Sequence, residues 1–127
     1  MTAPQTPNAR IARAAFEAYA ANDRTAIEAL IADDLTFTSP LDNGIDRATY
    51  MARCWPNHES LAAFDFIRTI ENGDEVVVTY ECETSDHRRF RNTEVLTVKQ
   101  GQIHAVEVYF GWSLPHPAEA GGFVTES

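Results

Sequence analysis

The chain has 127 residues, 44% hydrophobic and 23% charged, which suits one globular domain with one core and is too short for two. Its 19 acidic against 10 basic residues give a formal net charge of −9, so phosphate backbones and anionic lipid are repelled, and neither nucleic acid nor a membrane surface is expected as a partner. The basic cluster Arg88, Arg89 and Arg91, beside His87, reads as a charged strand edge that discourages pairing with other chains.

Residues 1–8 carry two prolines and read as a flexible lead. With no apolar run in MTAPQTPNAR, neither a signal peptide nor a transmembrane segment is expected, and the cytoplasm is the simplest location. Asn8 can cap a helix over 9–21, where Ile11, Ala15, Ala18 and Tyr19 recur at helical spacing. Asn22-Asp23 ends it. Thr25 with Glu28 fits a capping box for a second short helix, striped by Ile27, Leu30 and Ile31 and closed by Asp33-Asp34. Leu35 to Thr38 alternates as a strand that Ser39-Pro40 ends. Leu41 to Gly44 reads as a loop, with Asp42 in a turn role beside Asn43-Gly44 or, as the alternative, overhanging the pocket mouth, and a third helix runs from Asp46 or Arg47 to Trp55 and stops at Pro56.

From Leu61 the pattern is one of strands: 61–71, then 75–84 with Val76, Val78, Tyr80 and Cys82 on one face, then 88–99 and 102–112. The tail 113–127, with Pro115, Pro117 and Gly121-Gly122, reads as an irregular arm. Three helices followed by a strand meander is an α+β plan, in which helices on a curved, mostly antiparallel sheet leave a pocket.

The last hairpin decides which side chains face that pocket. Lys99-Gln100-Gly101 fits a three-residue loop with a bulge, which sets Val98 opposite Gln102, Leu96 opposite His104, Glu94 opposite Val106 and Phe90 opposite Phe110. Phe90, Asn92, Glu94, Leu96, His104, Val106, Val108 and Phe110 then share one face. Thr93, Val95, Thr97, Ile103, Ala105, Glu107 and Tyr109 share the other. Both faces are apolar enough to need a cover, helices on one and a second subunit on the other, so a homodimer through the outer face is expected. A three-residue turn at Ser85-Asp86-His87 adds Tyr80 and Cys82 to the Glu94 face; a two-residue turn would remove them.

Glu94 is the candidate of greatest weight. A carboxyl in an apolar pocket has a raised pKa and can serve as general acid or base; the alternative is a structural hydrogen bond to Asn92, Tyr80 or an arginine. His104 is the second catalytic candidate, since imidazole titrates near neutrality. Trp55, Ser39 and Trp112 complete the expected pocket wall, and Arg53 reads as a surface residue that could instead turn inward. His58, His87 and His116 have no metal-ligand spacing, and Cys54 and Cys82 have no CxxC spacing, so no metal is expected and both thiols read as buried and unpaired. With no P-loop, GxGxxG or nucleophile elbow, no cofactor is expected either.

Three segments, ANDRTAIEALIADDLTFTSP, GIDRATYMARC and NTEVLTVKQGQIHAVEVYFGW, resemble the nuclear-transport-factor-2-like superfamily, in its SnoaL-like and ketosteroid-isomerase-like branch. The resemblance covers residues 9–112. It implies a single domain folded as a cone-shaped α+β barrel with a deep pocket, dimeric through its sheet. The ketosteroid isomerases carry a base before the proline that ends the first strand, where Ser39 stands here. They carry a tyrosine on the first helix at a position matching Ala15, and an acid in the third long strand matching Glu94. With one of three retained, steroid isomerisation is not implied. Two functional classes follow. One is a cofactor-independent isomerase, cyclase, dehydratase or hydrolase acting on a small, largely hydrophobic molecule. The other is a non-catalytic module that binds a small ligand or a protein.

Overall fold

A computed structural model describes residues 7–56 and 61–125, so that the start of the expected lead and His58 lie outside the described residues. The elements follow in the order α1 (Pro7–Ala21), α2 (Arg24–Leu30), β1 (Ile31–Ser39), β2 (Asp42–Ile45), α3 (Arg47–Arg53), β3 (Leu61–Asn72), β4 (Glu75–Thr84), β5 (Arg89–Lys99) and β6 (Gln102–Leu114). Residues 115–125 form turns and irregular chain.

Helix α1 buries Ala9, Ala12, Ala15, Phe16 and Ala18, and the small alanines let its backbone lie close to the sheet. Asn22, with φ +56, ends it: Asn22 donates its N–H to Tyr19 and Asp23 donates to Ala18, the paired bonds of a Schellman cap. The capping of α2 differs from expectation. Asp23, not Thr25, accepts the N–H of Ala26 at 3.1 Å. Asp46 caps α3 by accepting from Thr49 at 2.9 Å.

The six strands form one curved sheet in the order β2-β1-β6-β5-β4-β3. The β1/β6 pair is parallel and the others antiparallel. The sheet ends at β2 and β3 and does not close, so the expected barrel is an open one. Two segments were misjudged from sequence. Leu41 to Gly44 is not a plain loop, since Asp42–Ile45 folds back on β1 as a strand, with Ser39 opposite Asp42. Asp33-Asp34 does not close a helix; both lie exposed in β1, where its register with β6 slips between Ile31 and Thr36.

The last hairpin departs from the expected register in a way that preserves most faces. Gln100 and Gly101, at φ +54 and +77, form a two-residue turn, and Lys99 pairs with Gln102. A bulge at His104 adds one more residue, so Leu96 pairs with Val106 and Glu94 with Val108. Partners therefore shift by two positions while side-chain parity beyond the bulge is kept. Before it, parity reverses: Ile103 pairs with Val98 and enters the core at 1% exposure, not the outer face. A second bulge follows at Gly111, where a Cβ would stand 2.0 Å from the Arg91 carbonyl oxygen. Asn92 Oδ1 accepts the Gly111 N–H at 3.1 Å and fixes this kink. Glu83 pairs with Arg89 and Tyr80 with Asn92, as the three-residue turn at Ser85-Asp86-His87 requires.

Candidate functional site

Helix α1, strand β1 and strands β4 to β6 surround a cavity of about 390 Å³, within the range of small-molecule sites. Val76, Val78, Leu96, Val98 and Ile103 form the packed floor of the core. Exposed Leu41 and Phe110 border the cavity and mark its open side.

Glu94 borders the cavity from the middle of β5. Opposite it on the neighbouring strands stand Val78 and Val108, which offer it no polar partner. The Tyr80 hydroxyl donates to Glu94 Oε2 at 2.6 Å. Tyr80 can reach it because the β4/β5 register sets Tyr80 one pair away on the same face. Burial pushes the Glu94 carboxyl up to about 7, and the Tyr80 bond opposes that rise. The same burial raises the Tyr80 hydroxyl well above its ordinary value; the charge and hydrogen bond of Glu94 add to the rise, and the Asn92 side chain opposes it. Tyr80 is thus a phenol, and a fixed donor, at neutral pH.

A second polar group lines the same cavity. Tyr19 of α1 and Tyr50 of α3 share a short hydrogen bond between hydroxyls. Burial is the largest cause raising both above the ordinary tyrosine range. Two neutral hydroxyls that share one hydrogen leave the other O–H free to donate. Trp55 packs edge-on to Tyr19, with ring centroids 4.9 Å apart, and so backs this pair.

At the open side, Asp42 accepts from Ser39 Oγ at 2.8 Å and from Arg53 Nε. These contacts, Arg53 foremost, hold its carboxyl below the usual range. Burial pushes the Cys54 thiol up to about 11, the charges of Asp42 and Glu94 add to the rise, and Arg53 opposes it. Cys82 is likewise buried and raised to about 11.

Of the residues expected at a pocket wall, Tyr80, Asn92, Leu96, Val106, Val108, Phe110 and Ser39 border the cavity with Glu94. Three do not. His104 sits in its bulge, away from the cavity, with Nδ1 2.7 Å from Asp34 Oδ1 and Nε2 buried without a partner among the described residues. Trp112 is turned outward by the Gly111 bulge and stacks under Arg91, whose guanidinium carbon lies 5.5 Å from the ring centroid. Trp55 lies behind Tyr19 and not at the cavity surface. Arg53 stays on the surface and pairs with Asp42, not with Glu94. The residues missed from sequence are Tyr19 and Tyr50, while Asp42 takes the cavity-mouth position that was the alternative to its turn role. The signal for Tyr19 was present, since it stands one turn beyond Ala15 on the same helical face. Among the described residues no three His, Cys, Asp or Glu side chains gather as a metal site, and no helix is long and apolar enough to cross a membrane.

The model of the SnoaL-like domain matches residues 12–106. Among solved structures, a Kribbella flavida protein aligns with TM-score 0.76 at 19% identity, over 84% of this chain and 88% of that one. A ketosteroid isomerase candidate from the same organism aligns with TM-score 0.73 at 19% identity, over 95% of this chain and 90% of that one. A polyketide cyclase candidate from Sinorhizobium meliloti aligns with TM-score 0.64 at 20% identity, over 78% and 93%. At these identities the likeness is one of fold. The search of curated proteins found no match.

Proposed function

This chain belongs to the SnoaL-like domain family, and from that premise we propose that it binds a small, largely apolar molecule bearing an oxygen function and moves protons on it without a cofactor, with Glu94 as the proton carrier. The observation that carries this reading is Glu94 itself, a carboxyl walled into an apolar cavity and tied to Tyr80, where burial pushes its pKa up to about 7. Near neutral pH both its forms are populated, which is what a general acid and base needs. The spare O–H of the Tyr19–Tyr50 pair can stabilise negative charge as it develops on a ligand oxygen. Isomerases, cyclases, dehydratases and hydrolases share such a step, and the isomerase and cyclase candidates among the structural neighbours fit it. Ser39 and Ala15, where a steroid isomerase would have its base and tyrosine, weigh against that specific reaction.

The test is exchange of the α-protons of an enolisable ketone in heavy water, followed by NMR. Cyclohexanone with a phenyl group opposite the carbonyl serves as probe. The wild type should accelerate exchange, and Glu94→Gln should lower the rate by about 100-fold or more. A variant within a few-fold of wild type sinks the role of Glu94. A wild type that binds the ketone without accelerating exchange favours the second reading, a non-catalytic ligand-binding module of the same fold, for which the residues at 39 and 15 already speak.

We further propose a homodimer through the outer sheet face, where Tyr109 and Trp112 lie 54% and 46% exposed beside Thr93, Val95 and Ala105. Sedimentation at micromolar concentration should give twice the chain mass; a monomer rejects it. Two buried unpaired thiols suit a reducing compartment, and we place the protein in the cytoplasm, which cell fractionation would check.

A further inference from the structure

The proton chemistry above leaves one charged group of the cavity unused. Asp42 opens β2, and the turn through Pro40-Leu41 folds it back against Ser39. Ser39 Oγ accepts the Leu41 N–H at 3.0 Å and donates to Asp42 Oδ2, so the tight turn and the carboxylate orient each other. Arg53 holds Oδ1 from the last turn of α3. The two partners differ in exposure: the Asp42 side chain is 9% exposed and that of Arg53 57%. The carboxylate is thus folded into the cavity wall while its counter-charge remains in water. A carboxylate has about four lone-pair positions, and Ser39 and Arg53 engage two of them.

The polar groups of the cavity are accordingly sorted by position. Around Glu94 stand hydroxyl donors, Tyr80 and the Tyr19–Tyr50 pair. Near exposed Leu41, on the open side, stands an acceptor. The rest of the wall is largely apolar, with Phe16, Leu35, Phe64 and Val106 among its residues. An apolar ligand seated against Asp42 would strip water from a charge and return nothing, which is costly. An anionic group would meet the carboxylate, and an ammonium would give up its hydration for a carboxylate whose charge Arg53 already balances.

We propose that Asp42 is a specificity-determining residue, an acceptor at the outer end of the cavity that selects molecules bearing a neutral hydroxyl on the end opposite their reacting oxygen. The proposal rests on the reading that the reacting oxygen lies against Glu94 and the tyrosines.

A matched pair of probes tests it: cyclohexanone carrying a phenyl group opposite the carbonyl, and its para-hydroxyphenyl counterpart. By titration calorimetry the hydroxylated ketone should bind the wild type about 10-fold tighter or more, the worth of a hydrogen bond to a charged acceptor. Asp42→Asn, which keeps the shape and a weaker acceptor, should reduce that ratio to roughly 3-fold. Asp42→Leu should bring it to about 1 while holding the plain ketone at least as well as wild type, which also reports a folded cavity. Equal binding of the two ketones by wild type, or a ratio that survives in either variant, overturns the proposal. Loss of the ratio with α-proton exchange intact sinks this inference alone. Absence of exchange with the ratio intact sinks the proton-transfer reading alone. If neither ketone binds, both fall.

Discussion

Glu94 and Asp42 border one cavity, and their pKa values are shifted in opposite directions. Glu94 stands in the middle of β5 with Val78 and Val108 opposite it, and with the Tyr80 phenol as its partner among the described residues. Asp42 stands on an edge hairpin within reach of an exposed guanidinium. Desolvation dominates the first and raises its pKa to about 7; a hydrogen-bonded cation dominates the second and lowers it. The same functional group is thereby split into a proton carrier and a fixed negative acceptor by its position in the sheet. Most of the tests of this contrast follow from linkage, because a shifted pKa is also a statement about stability.

The largest effect belongs to Glu94. Its folded pKa of about 7 lies above the ordinary 4.5, so the folded state binds the proton more tightly than the unfolded state does. The stability it contributes is full below about pH 4.5 and is lost as pH rises through about 7. Glutamine in its place stays neutral at all pH. Glu94→Gln should therefore match the wild type in acid and exceed it by on the order of 3 kcal/mol above neutrality. Urea denaturation of both proteins across that range measures the difference. A difference that does not change with pH would mean that Glu94 ionises as an ordinary surface carboxyl, and the contrast with Asp42 would collapse.

The half of this contrast that lies in β5 was readable from the sequence, and the half in β2 only as an alternative to a turn. A glutamate among Val, Leu and Thr at strand spacing can be placed on the apolar face by alternation alone, and the turn at Ser85-Asp86-His87 correctly brings Tyr80 beside it. Alternation fails where the backbone gains a residue. The His104 bulge carried one catalytic candidate away from the cavity to Asp34, and the Gly111 bulge turned Trp112 outward. Gly111 was the visible warning, since an isolated glycine inside a strand commonly marks a bulge. The His104 bulge had no such mark. Asp42, Tyr19 and Tyr50 depend on how β2, α1 and α3 lie relative to one another, and such contacts between distant segments leave no periodic trace. For Asp42 the sequence Asp-Asn-Gly reads as a turn, and only the pairing with Ser39 reveals a strand.

The next effect concerns Tyr80, the hydrogen-bond partner of Glu94. The Tyr80 hydroxyl favours the ionised carboxylate and restrains the rise that burial imposes. Tyr80→Phe removes the bond and keeps the ring, which packs against Phe16 and Phe64 with centroids 4.9 and 5.5 Å away. The Glu94 pKa should then climb by about one unit, the equivalent of one net hydrogen bond. A carboxyl-carbon NMR titration of the two proteins reads it directly. The loss of stability should still begin near pH 4.5, which the unfolded state sets, but should run to a pH about one unit higher and be correspondingly larger. An unmoved titration would show that solvent in the cavity, and not Tyr80, sets the charge of Glu94.

The smallest effect tests the other carboxyl and has the opposite sign. Asp42 has a folded pKa below its ordinary 3.8, so the stability it contributes is present above that value and is lost as pH falls through the folded pKa. Arg53→Met withdraws the leading cause of that depression but keeps much of the aliphatic stem. The variant should be slightly less stable than wild type at neutral pH, where Glu94→Gln is more stable. The deficit should vanish in strong acid, once Asp42 is protonated in both proteins. Because Arg53 is more than half exposed, water and salt screen the pair, and the deficit should also shrink in high salt while the Glu94→Gln difference holds. Salt sensitivity at Asp42 without salt sensitivity at Glu94 is the behaviour expected of one carboxylate facing a solvated cation and another facing a walled cavity. Equal salt responses would place both in the same dielectric and remove the basis for assigning them different tasks.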